Sequence, residues 1–149
     1  MAFLVDTSIL VRLANRTDPA YSVADRAVVE LHRRGELLHL APQNLIEFRG
    51  VATRPVAANG LGWMPAVAEA KAAEFEALFP ILVETPDIFP AWKKLVEAGA
   101  VIGKQVHDAR LVATCHVHGL THLLTFNTNH FASLSGFPPG VIVVDPAMV

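Results

Sequence analysis

"AFLVDTSILVRLAN", residues 2–15, decides how the rest of the chain is read. Its apolar run stops at Asp6-Thr7-Ser8, and "ILVRLAN" fits a helix whose first turn those polar side chains can cap. A buried strand running straight into a helix is the opening of a parallel-sheet unit. No basic residue precedes the run and Asp6 interrupts it, so the stretch reads as neither a signal peptide nor a membrane span.

Outward from there the alternation continues. "SVADRAVVELHRRG" (22–35) places Val23, Ala27 and Leu31 on one helical face and stops at Gly35; "LLHLA" (37–41) reads as a second strand. From Pro42 to Thr53, Asn44, Glu47, Phe48 and Val51 share a face, and Pro55 ends the pattern. Ala66 to Phe79 forms a helix through Ala68, Ala72, Phe75 and Phe79. "ILVE" (81–84) predicts a third strand and Thr85-Pro86 the start of a helix carrying Trp92, Leu95 and Val96 to Gly99. "HDARLVATCHVHG" (107–119) predicts a helix with Asp108, Leu111, Val112 and Cys115 on one face; "HLLT" (122–125) and "VIVVD" (141–145) complete five strands. The pattern predicts an α/β fold in three layers, with a mainly parallel five-stranded sheet covered by helices on both faces.

With 149 residues, 52% of them hydrophobic, one core can bury about two-thirds of the unfolded surface, and we expect a single domain over 1–149. One cysteine, Cys115, excludes an internal disulfide framework and thiolate metal sites, and fits a cytoplasmic protein. The net charge of −2 is spread along the chain, so any attraction to nucleic acid must be local.

Ligands of such sheets bind outside the carboxyl ends of the strands, where Asp6 and the stretch Thr125 to Asn127 fall. Each acid has an ordinary explanation alone: Asp6 as a cap, Glu47 as a solvated helix residue, Asp108 as a favourable charge in a first helical turn. Together they stand at a strand end, on a core-side helical face and at a helix start. Carboxylates gathered there repel unless a cation neutralises them, and Mg²⁺ or Mn²⁺ suits an oxygen donor set. Five of the seven histidines lie between His107 and His130, but His116 and His118, two apart on a helix, point in different directions and do not suggest zinc. An aspartyl phosphatase would need a second acid where Ser8 stands and a threonine where Leu10 stands.

"FLVDTSIL", "PQNLIEFRGVATRP" (42–55), "HDARLVA" (107–113) and "LLTFNTNHF" (123–131), in this order, resemble the signature segments of the PIN-domain nucleases, most closely the VapC-type toxins of toxin–antitoxin pairs. The resemblance implies an α/β/α domain and a Mg²⁺-dependent endoribonuclease, restrained by a cognate antitoxin and commonly dimeric. Asp6, Glu47 and Asp108 match its acidic positions, and Asn127 stands where many members carry a fourth acid. Thr7, Ser8 and Thr125 match supporting polar positions, with Asp6 and Asp108 expected to hold the ion most directly and Glu47 to share it or to position and deprotonate the attacking water. Arg49 or Arg110 is expected to contact RNA phosphate. The rival expectation is a degenerate, non-catalytic module that binds RNA or protein, because Asn127 leaves three acids.

Overall fold

Residues 1–149 are all described by a computed structural model. Strand β1 (Ala2–Val5) alternates its side chains between two faces, and the two faces belong to different cores. Phe3 and Val5 join Ile9 and Leu10 of helix α1 (Thr7–Ala14), Val28 and Leu31 of α2 (Tyr21–Arg33), Phe48 of α3 (Pro42–Thr53) and Phe75 of α4 (Pro65–Leu78). Leu4 turns the other way, toward Leu95 of α5 (Ile88–Ala98), Leu111, Val112 and Cys115 of α6 (Gln105–His118), and Phe131 at the end of the short α7 (Thr128–Phe131). Each fully buried leucine or phenylalanine contributes about 1.5–3 kcal/mol over its exposed state, so the sheet is held from both sides.

The sheet runs β2 (Leu37–His39), β1, β3 (His122–Leu124), β4 (Ile142–Val144), with all neighbours parallel. The fold class is therefore as the sequence predicts, with four strands in place of five. Ile81 makes a single parallel bridge to Leu40, and Val83 is exposed. The reason is the partner: beyond Leu40 the chain turns at Ala41 into α3, whose first residue is Pro42, so residues 83–84 have no strand to pair with.

Helix α5 also starts two residues later than Pro86. A start at Pro86 would place Pro90 fifth, where its missing N–H deletes a helical hydrogen bond. With Ile88 first, Pro90 is third, where no intrahelical partner is needed. No helix is long and apolar enough to cross a membrane.

The parallel register positions the site. Val5 pairs with Leu124, and one step on the Asp6 N–H donates to the Leu124 carbonyl at 2.9 Å while the Thr125 N–H donates to Val144 at 3.0 Å. Asp6 and Thr125 therefore leave neighbouring strands side by side at their carboxyl ends.

Candidate functional site

Asp6 is both cap and site residue. It is buried, 4% exposed, and its Oδ2 accepts hydrogen bonds from Ser8 Oγ at 2.7 Å and Thr125 Oγ1 at 2.6 Å, with the Ser8 N–H at 3.4 Å. Ser8 Oγ in turn accepts from the Phe126 N–H, and Thr125 Oγ1 from the Asn127 N–H. Thr125 and Ser8 thus tie β3's exit to the first turn of α1. These bonds leave Oδ1 of Asp6 free to face the cleft.

Glu47 is half-buried on α3, four residues after Gln43, which puts both side chains on one helical face. Thr7 Oγ1 donates to its Oε2 at 2.8 Å and Gln43 Nε2 to its Oε1 at 2.7 Å. Gln43 Nε2 also reaches the His107 carbonyl at 2.8 Å, linking α3 to the start of α6. Asn44, fully buried, accepts from the Ala41 N–H and donates to Thr7 Oγ1. Gln43 was missed by sequence reading, although its i, i+4 spacing to Glu47 is a signal that could have found it.

Asp108 differs from the other two acids in having no hydrogen-bond donor of its own on the protein. Its pKa is pushed up to about 6, first by burial and then by the charge of Asp6, with Glu47 adding to it and His130 and His107 opposing. No lysine or arginine pairs with Asp6, Glu47 or Asp108.

All three acids and Asn127 line one open cleft of about 910 Å³, together with Thr7 and Ser8. They share it without closing on a point, since no three acidic, histidine or cysteine side chains form a ready cage for an ion. The donor set nevertheless suits a hard cation: it is all oxygen, no lysine or arginine is ion-paired with it, and Asp108 accepts no hydrogen bond from the protein. Mg²⁺ typically keeps several waters and takes one or two carboxylates, so a loose set is compatible with it.

Neither arginine expected at phosphate lines this cleft itself, although Arg110 Nη1 donates to Gln43 Oε1 at 3.3 Å at its edge. Arg49 is ion-paired with Glu69, and Arg110 is held bidentately by Glu84 at 2.7 and 3.2 Å. Arg12, Arg54 and Lys104 line the cleft instead, as do Asp18, His107 and His130. Outside the cleft, His118 Nε2 lies 2.9 Å from the Val83 carbonyl and His122 packs against Phe3. Asn129 lies within α7, while Asn59 takes the left-handed conformation, φ 64°.

The family model described as "PIN domain" matches residues 3–136. No curated protein matches the sequence significantly. Among solved structures, VapBC2 from Rickettsia felis, bound to a DNA fragment of its promoter, superposes with a TM-score of 0.69 at 17% identity over 97% of this chain and 98% of that one. FitAcB from Neisseria gonorrhoeae gives 0.68 at 16%, covering 99% of both chains. VapC20 of Mycobacterium tuberculosis, a toxin that cleaves the sarcin–ricin loop, gives 0.63 at 21%, covering 88% and 94%.

Proposed function

Since the chain belongs to the PIN-domain family, we propose that it is a Mg²⁺-dependent endoribonuclease, the toxin of a toxin–antitoxin pair. The observation that carries this reading is the convergence of Asp6, Glu47 and Asp108, from three separate elements, on one cleft with no protein cation paired to any of them. Asp6 and Asp108 would hold the ion. A bound divalent ion supplies a Lewis acid for the phosphodiester oxygen and lowers the pKa of a water.

The chain's own residues do the rest. Ser8 and Thr125 fix Asp6 so that one oxygen faces the cleft, and Thr7 and Gln43 fix the Glu47 carboxylate, which retains lone pairs to orient water and accept its proton. Asn127 brings an amide in place of a fourth charge and positions water or a ligand oxygen. The net charge of −2 falls to zero with one Mg²⁺ bound, which removes the global repulsion of RNA.

An antitoxin and a homodimer belong to the same reading. Solved structures of similar fold include toxin–antitoxin complexes, and Ile46, which lines the cleft, is 70% exposed. A partner laying an apolar helix there would cover both side chain and cleft.

Purified protein given total RNA is expected to cleave it with Mg²⁺ or Mn²⁺, to stop with EDTA, and to lose activity with Asp6→Asn. Binding of RNA without cleavage, with every divalent ion tried, would instead establish the degenerate binding module, which the amide at Asn127 favours. Asn127→Asp is expected to keep activity and reach half-maximal rate at lower Mg²⁺, because it restores a carboxylate to the cleft wall. Asn127→Ala should cost less than Asp6→Asn in the same Mg²⁺ titration; equal damage would make the amide essential to the chemistry.

A further inference from the structure

Five cations outside the acidic cleft are ion-paired, Arg33 and Arg34 with Glu30, Arg49 with Glu69, Lys71 with Glu74 and Arg110 with Glu84, while Arg16, Arg26, Lys93 and Lys94 have no carboxylate partner. Arg12, Arg54 and Lys104 line the cleft with no carboxylate partner, even though that cleft contains three acids of the proposed site. Acids and arginines share one depression without forming ion pairs. A polyanion approaching the acids needs such a cationic rim, because the chain as a whole offers it no attraction.

Arg54 is positioned by an unusually constrained loop. Past its last turn, α3 leaves carbonyls without helical partners, and residues 61–63 answer them: the Leu61 N–H donates to Val51, the Trp63 N–H to Ala52 and the Gly62 N–H to the Arg54 carbonyl at 2.8 Å. The fold-back needs glycine at Gly60, where a Cβ would sit 2.1 Å from the Arg54 carbonyl oxygen. Asn59 and Gly60 line the cleft as well, and one Arg54 Nη donates to the Asn59 carbonyl at 3.1 Å. That bond uses one of five guanidinium N–H groups and aligns the others.

We propose that Arg54, fixed by the loop over residues 55–62, contacts a backbone phosphate of the RNA strand adjoining the scissile one. The assignment rests on the nuclease reading above. It gives Arg54 a binding role, outside the acid chemistry, in which the fork of the guanidinium grips two phosphate oxygens. Arg12, backed by the Phe126 ring at 5.4 Å, is the second unpaired arginine of the same cleft.

The test uses the full chain carrying Asp108→Asn, so that RNA is not consumed, and a labelled single-stranded RNA oligonucleotide of mixed sequence whose binding is followed by anisotropy across a salt series. Adding Arg54→Ala is expected to weaken Kd about tenfold and to lower the slope of log affinity against log salt by about one. Arg54→Lys should fall between, since it keeps the charge and loses the fork. Arg33→Ala removes an equal charge far from the cleft and should change Kd less than about twofold. In the active chain, Arg54→Ala should raise KM with kcat nearly unchanged, which a general loss of folding would not produce. If the parent binds no RNA, the nuclease reading falls and the role of Arg54 with it. If the parent binds and Arg54→Ala binds as well, or Arg33→Ala weakens binding equally, the role of Arg54 alone is overturned.

Discussion

Asp108→Asn is expected to lower RNA cleavage about a thousandfold, or about 4 kcal/mol of transition-state stabilisation, while raising the melting temperature of the metal-free protein at pH 7. The two effects have one cause. In the absence of an ion, Asp108 is pressed into a half-buried position beside Asp6 and Glu47, and its pKa is raised to about 6. A group whose pKa is higher folded than unfolded contributes its stability below the unfolded value, near 3.8, and loses it as pH rises through about 6. Charge on Asp108 therefore opposes folding at neutral pH, and the asparagine removes that opposition.

The difference in melting temperature between variant and parent should be small near pH 4, grow through pH 6 and level off above it. Added Mg²⁺ should reverse the order, because it stabilises the parent by mass action and finds one ligand fewer in the variant. A variant no more stable than the parent at pH 7 would show that Asp108 is not strained by its neighbours. Undiminished cleavage would remove it from the chemistry.

Phe48→Ala is expected to cost about 3–5 kcal/mol, the usual loss for a phenylalanine truncated in a closed core. Phe48 is fully buried and meets the rings of Phe75 edge-on at 5.1 Å and Trp63 at 6.4 Å. Those contacts lock α3 to α4 and to the segment that follows the Arg54 loop. For a chain of this length the melting temperature should fall by about 10 °C. Glu47 is the preceding residue, so activity at permissive temperature should also fall, through positioning. Chemical denaturation of the metal-free protein is the measurement, and a loss under about 1 kcal/mol would mean that the α3–α4 seam lies outside the cooperative core.

Three acids that line the candidate site stand at places that periodicity identifies: the end of "AFLV", the apolar face holding Phe48, and the head of the stripe through Leu111 and Cys115. What pairs with what was not readable. Spacing along the chain gives no sign that Arg49 and Arg110 pair with Glu69 and Glu84, which are reached only through tertiary packing. Gln43 gains its role by bridging Glu47 to the carbonyl of His107, 64 residues on.

Local signals alone determined the α/β alternation, the helix faces and the acids that head them, since periodicity and capping depend on residues within a few positions of one another. The tertiary structure decided which strands find partners. Ile81 to Glu84 is as apolar and β-prone as the true strands, but its neighbour leaves for α3 after Leu40, and a strand exists only where another backbone can complete its hydrogen bonds. It likewise decided which cations are ion-paired, because pairing depends on distances in space that spacing along the chain does not encode.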